Sequence, residues 1–431
     1  MEFTNFIDAR SFLLWSAFGV ALIMGAVVNK TNFCTMGAVS DWVNMGDLGR
    51  MRAWFFAIAI AMLGVVLLES FGMVSPDKAF PPYRASTLIW GENVIGGLMF
   101  GIGMTLASGC GNKTLIRIGG GNIKSIFVAL VIAIIAYYMI FPFPGTDKTL
   151  FSELFLPWTR ALNDASEAVS PLTVALTTQQ DLGTMVAGKE SAVTARLVIG
   201  GVIGLALMFV VWKSKEFRSS FDNILGGLVV GLAVLLAWYF SSNISINLDG
   251  TSHTLASYAQ EWDFLAESEE GKPAEIRSLS PQSYTFINPM GQVFGLAKAG
   301  FDSAYLTFGI MAVFGVIAGS LLWSLITRSF RIEWFANRQD FLNHLVGAIL
   351  MGFGGVLAMG CTIGQAVTGA STLALGSFLA FGSIVLGSAL TMKIQYYKMV
   401  YEDEATFGKA LLTGLVDLKL LPSSLRKLDA I

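Results

Sequence analysis

Three cysteines carry the chemical interest of this chain: Cys34 in NKTNFCTMGAVSD, Cys110 in ASGCGNKTLIRIGGGN and Cys361 in AMGCTIGQAVTGAST. Three thiolates could hold zinc, but these come from separated segments without Cys-x-x-Cys spacing, and the two histidines, His253 and His344, do not complete a ligand set. No metal or other cofactor is therefore expected. A thiol-disulfide enzyme needs a low-pKa attacking thiol beside a resolving partner, which three scattered motifs do not suggest. In apolar surroundings a thiol stays S–H, a weak and polarisable donor that can touch a soft anion without gripping it. Weak contacts at several sites are what conduction requires. Cys34, Cys110 and Cys361 are thus candidate substrate-binding or relay residues. Around them Lys30, Gly109, Gly111, Asn112, Lys113, Gly360, Thr362 and Gln365 stand as supporting residues, with Arg117 close by. An ordinary positive-inside loop accounts for Lys113 and Arg117 as well.

The elements that must position these residues are membrane helices. Hydrophobic residues make up 54% of the chain and charged ones 13%, far more apolar surface than a soluble core needs. A net charge of −2 and the lack of a basic arm or finger argue against a nucleic-acid partner. Nine apolar runs approach the length of about 20 residues that crosses a bilayer: 12–28, 53–74, 92–108, 124–140, 192–212, 223–240, 303–326, 341–359 and 372–391. The stretches after 12–28, 92–108 and 341–359 are apolar, rich in Gly and Thr, and too short to span. They read as half-helices, tolerated at membrane depth only where protein or a cavity satisfies the backbone. The spacing predicts a helix starting near Phe33, capped by Thr31 or Asn32. No Asp, Glu, Lys or Arg stands mid-span; Glu69 and Arg196 sit near span ends, so no carboxylate proton relay is visible.

Orientation follows from Lys and Arg in the connections. Those at 44–52, 111–124, 213–222 and 328–340 hold eleven in 46 residues, against eight in 131 for 75–92, 141–191 and 241–302. The first set is expected in the cytoplasm, with the N-terminus outside and the tail 392–431 inside. The connections 141–191 and 241–302 are expected as outside loops, with stretches such as LFSELFLPWTRALNDA forming short amphipathic helices that lie on the membrane or cap the outer mouth.

A shift of 251 residues lays Ile95–Cys110 over Val346–Cys361 and matches seven of sixteen positions, ending in Gly-Cys both times. Glycine agreement alone could reflect close helix packing. The joint match, on segments expected to cross in opposite directions, reads as an inverted repeat whose interrupted helices meet near the midplane. The halves are placed at about 12–140 and 192–391 of a single transmembrane domain, 1–431. The expected fold is all-α: a polytopic membrane protein of about nine transmembrane helices plus short half-helices.

The three cysteine motifs, in this order, resemble those of the YeeE/YedE sulfur-transport family over about residues 18–391. The resemblance implies a thiosulfate permease of the bacterial inner membrane, with a central constriction where Cys34, Cys110 and Cys361 pass the anion on by S–H contacts. It also implies a separate small sulfur-carrier protein on the cytoplasmic side. Departures at Thr35, Met36, Asn112 and Lys113 bear on the substrate rather than the fold. A membrane sulfurtransferase that forms a cysteine persulfide, or a channel for another small solute, would use the same residues differently.

Overall fold

The computed structural model describes residues 1–157, 174–248, 251–261 and 273–429. Among them nine helices are long and apolar enough to cross a membrane. The principal helices in chain order are α1 (Phe6–Thr31), α2 (Thr35–Ser40), α3 (Gly49–Ser70), α4 (Trp90–Leu106), α5 (Gly111–Gly119) and α6 (Ile123–Ile140). They are followed by α7 (Ala192–Lys213), α8 (Phe221–Ser242), α9 (Ile287–Lys298), α10 (Phe308–Ile326), α11 (Arg338–Leu357), α12 (Leu375–Tyr401) and α13 (Phe407–Asp417). The helices α2, α5 and α9 are too short to span. Between α11 and α12 the chain winds into a π-helix, Ile363–Gly369, and another, Asp41–Met45, continues α2. The wider turn is uncommon and recurs at functional sites. Among the described residues strand is limited to short edges, such as Ser245–Leu248 paired with Thr251–Thr254.

Several spanning helices start where a polar side chain satisfies one of the first free N–H groups. Asn122 caps α6, Ser220 caps α8, Thr307 caps α10 and Asn337 caps α11, each accepting from the backbone N–H three residues on. The expected cap of α2 is corrected. Asn32 closes α1 in the left-handed region at φ 51°, and Cys34 itself takes the N-cap position of α2.

Glycine governs the central crossing. A Cβ on Gly103 would lie 2.6 Å from the Gly347 carbonyl oxygen, and one on Gly347 would lie 2.6 Å from that of Gly103. Gly96 and Gly354 face each other in the same way, at 2.8 and 2.5 Å. The pairing advances along α4 while it retreats along α11, so the helices are antiparallel. Under the 251-residue shift Gly96 corresponds to Gly347 and Gly103 to Gly354, so each glycine meets the counterpart of the other. Reciprocal contact of this kind is the pattern of two segments related by a two-fold axis.

One segment expected in an outside loop takes another form, and one expected short helix is present in part. Residues 287–298, inside the connection 241–302, form α9, which packs on α6 and α10 with Ile287, Pro289, Met290 and Gln292 buried. Of the stretch LFSELFLPWTRALNDA, Leu150–Leu154 is a short helix closed by a Thr149–Ser152 capping box; residues 158–173 lie outside the described residues.

Candidate functional site

All three cysteines follow the same local turn. The residue two before each is left-handed: Asn32 at φ 51°, Ser108 at 58° and Met359 at 56°. At the second and third motifs the turn is a Schellman motif, in which Gly109 N–H donates to the Met104 carbonyl and Gly360 N–H to the Gly355 carbonyl. A left-handed non-glycine residue costs about 1–2 kcal/mol, and this fold accepts that cost at each cysteine. The reversal ends a spanning helix and aims the cysteine at the start of the next, shorter element. Cys34 begins α2, Cys110 begins α5, and Cys361 stands two residues before the π-helix. At α2 and α5 no side chain closes the cap. The spanning helices α3, α4, α7 and α12 also lack such a cap, but at α2 and α5 a cysteine stands in the cap position.

The cysteines are buried, with Cys34 5%, Cys110 2% and Cys361 0% exposed, and none is in a disulfide. The structure brings them together, since Cys110 lies within electrostatic range of both Cys34 and Cys361. Its thiol sits beside the Thr362 hydroxyl and the Lys113 N–H, on elements from opposite ends of the chain. Cys361 sits beside the Thr285 hydroxyl and the backbone N–H groups of Phe286, Ile363 and Gly364. The Thr35, Thr285 and Thr362 hydroxyls, the Asn112 carbonyl oxygen and the Gln365 carbonyl oxygen are buried without a well-formed hydrogen bond. A buried polar atom left so costs about 1–3 kcal/mol, which marks these five as groups held ready for something else. Gln365 is anchored by its amide nitrogen, which donates to the Ala358 carbonyl.

The small residues explain how the elements approach. A Cβ on Gly111 would meet Ile287 Cδ1 at 2.9 Å, and one on Gly360 would meet the Thr285 hydroxyl at 3.3 Å and Gln365 Nε2 at 3.4 Å. At Gly109 it would press on the Lys113 side chain at 3.1 Å. The Lys113 ammonium donates to the Asn32 side chain and lies within electrostatic range of Cys34 and Cys110. Arg50 is also within range of Cys34, while its guanidinium grips Asp41. Lys30 points elsewhere: its ammonium pairs with Asp222 at 2.6 Å and lies over the Phe221 ring.

Sequence reading missed Thr285, Phe286 and Ile287, which complete the surroundings of Cys110 and Cys361. A signal was present, because TFINPMG at 285–291 echoes NFCTMG at 32–37 with one inserted residue. Ile287 then stands where the first motif has Cys34, leaving this position of the second half without a thiol.

A second buried polar cluster lies where the 75–88 connection meets α7. Arg84 donates to both Glu69 oxygens at 2.6 and 2.8 Å, and Arg196 donates to Glu69 at 2.7 Å and to Asp181 at 2.7 and 3.0 Å. Glu69 and Arg196, which the sequence leaves at two unrelated span ends, are thus partners. Burial alone would raise the Asp181 carboxyl, but bonds from Arg196 and Thr184 outweigh it and hold the group below its ordinary range.

The chain resembles known proteins over most of its length. The chain is 24% identical over 387 residues to the thiosulfate transporter TsuA of Spirochaeta thermophila, covering 87% of this chain and 97% of that protein. It is 24% identical over 370 residues to the thiosulfate transporter TsuA of Escherichia coli, covering 85% and 90%. The family model for sulphur transport matches residues 30–390, which hold all three cysteine motifs. This multi-pass membrane protein belongs to the sulphur transport family.

Proposed function

We propose that this chain is a permease that takes up thiosulfate or a closely related sulfur anion through a central constriction lined by Cys34, Cys110 and Cys361. The observation that carries this reading is the meeting of three buried thiols with unpartnered hydroxyls at the starts of interrupted helices. Neutral S–H and O–H groups suit an anion that must bind and leave, because each contact is weak and the next lies within reach. Lys113 adds attraction on the Cys34 side without a fixed carboxylate partner, its ammonium being held by the neutral Asn32. The names of the two relatives favour thiosulfate.

Lys and Arg in the short connections favour an orientation with the N-terminus outside and the tail inside, and the family resemblance favours the bacterial inner membrane. The protein is then a transporter and not an enzyme. Gly109, Gly111 and Gly360 let the elements close on the pathway, and Asn112, Thr362 and Gln365 line it. The sulfur-carrier partner rests on the family resemblance alone.

The test is uptake of sulfur-labelled thiosulfate into proteoliposomes holding the parent, Cys110→Ala or Cys361→Ala at matched expression and orientation. Uptake by the parent that disappears in both variants is expected. Undiminished uptake in both would overturn the thiol pathway, and no uptake by the parent would overturn the substrate.

A further inference from the structure

Among the buried residues outside the cysteine cluster whose polar atoms no protein group satisfies, four lie around one pair of glycines. The atoms of these four are the Tyr83 hydroxyl, both side-chain atoms of Asn93, the Gln180 amide nitrogen and the Ser377 hydroxyl. The residues are at most 2% exposed and come from four parts of the chain: the 75–88 connection, the first turn of α4, the segment before α7 and the first turn of α12. They gather around two glycines. A Cβ on Gly376 would meet the Asn93 amide nitrogen at 2.5 Å and Gln180 Oε1 at 2.9 Å. A Cβ on Gly369, the last residue of the π-helix, would meet the Ser377 Cβ at 2.9 Å and the Tyr83 ring at 3.0 Å. Gly376 N–H donates to Gln180 Oε1 at 3.2 Å, which fixes that amide and leaves its NH2 free to donate. Tyr83 lies within electrostatic range of Cys361.

We propose that Tyr83, Asn93, Gln180 and Ser377 form a neutral oxyanion-binding chamber on the 75–88 side of Cys361, where substrate is held and selected before it reaches the thiols. This deepens the permease reading above and rests on it for the identity of the anion. The unpartnered atoms comprise four donor groups against one obligate acceptor, the Asn93 carbonyl oxygen, so the set suits a ligand rich in acceptor oxygens. Burial raises the Tyr83 hydroxyl far above its ordinary pKa, so it remains an O–H donor. Each unpartnered donor destabilises the empty fold by the desolvation of its group, a cost a bound oxyanion would offset. The adjacent charges are engaged with one another through Arg84, Arg196, Glu69 and Asp181, which leaves recognition to neutral groups. The same network braces the walls: Arg84 Nε donates to the Thr372 carbonyl at 2.9 Å, just beyond Gly369.

Tyr83→Phe and Ser377→Ala each remove one oxygen that has no protein partner, so the fold is expected to keep or gain thermal stability. The full-length protein in detergent is titrated with sodium thiosulfate, sulfate and sulfite, with sodium chloride as the ionic-strength control, and ligand-dependent thermal stabilisation is read. Uptake is measured in proteoliposomes alongside. The expected result is that each variant needs about tenfold more thiosulfate for half-saturation of both readouts, from loss of one hydrogen bond to a charged acceptor. Cys361→Ala is expected to lose uptake yet keep the thermal stabilisation. If Tyr83→Phe, Ser377→Ala and their double variant match the parent in both readouts, the cluster holds water only and the chamber is overturned. No stabilisation by any of the three anions would overturn it too. If the parent transports no thiosulfate yet is stabilised by sulfate or sulfite, and Tyr83→Phe removes that effect, the chamber stands and the substrate reading falls.

Discussion

Two buried polar regions of this molecule are built on opposite terms. Around Glu69, Arg84, Arg196 and Asp181 the charges are matched by charge at 2.6 to 3.0 Å, and Arg196 alone reaches Asp181, Glu69, Gln179 and Thr184. Around Cys34, Cys110 and Cys361 five neighbouring oxygens lack a good partner. Full satisfaction makes a rigid clamp, because removing any member strands a charge in a low-dielectric setting. Deliberate dissatisfaction makes a site, because the missing bonds are available to a ligand. The difference teaches that burial and polarity alone do not mark function in a membrane bundle; the bookkeeping of partners does.

The comparison breaks most visibly at Arg196. Replacing it with Met leaves Asp181 and Glu69 short of a partner, and a loss of about 3–5 kcal/mol is expected. It would appear as a large fall in melting temperature in detergent, whereas Cys361→Ala should melt close to the parent. Equal losses in the two would erase the distinction between clamp and site.

Acid sharpens the same contrast. The Asp181 carboxyl is held low in the folded protein, so its contribution is complete above its unfolded pKa of about 4 and is lost as pH falls through the lower folded value. The stability gap between the parent and Asp181→Asn should therefore stay constant from neutral pH down to about 4 and close below that. Melting curves of both proteins across this range test the sign; a gap that widens in acid would contradict it.

On the cysteine side, Thr362→Val keeps the shape and removes an unpartnered hydroxyl. Stability should be unchanged or rise by up to about 1 kcal/mol, while thiosulfate uptake drops roughly tenfold. A variant that loses stability but transports normally would reassign Thr362 to structure. The smallest effect is expected at Lys30, whose pair with Asp222 is 31% and 52% exposed. Lys30→Ala should cost no more than about 1 kcal/mol, and uptake should stay within about twofold of the parent, as an ion pair at the protein surface implies.

Much of this was legible in the chain. The apolar runs marked the nine spans to within a few residues at most ends, since a bilayer demands length and apolarity whatever the neighbours are. The Gly-Cys repeats marked Cys110 and Cys361 as equivalent, and the reciprocal approach of Gly96, Gly103, Gly347 and Gly354 gives that equivalence a geometric basis. What was illegible has common physical causes. Ser108 and Met359 have no intrinsic preference for the left-handed region; the helix end they close imposes it. The helix α9 lay hidden inside a connection of mixed polarity, and Lys30, beside Cys34 in sequence, turns to Asp222, 192 residues away.

The amino-acid sequence by itself determined the membrane-spanning architecture, the breaks at the three cysteine motifs and the family, because hydrophobic length and local motif chemistry need no tertiary partner to be read. Only the tertiary structure decided which buried polar groups are paired and which are left open. Glu69 meets Arg196 across 127 residues, and partnership at such separations depends on how the helices cross.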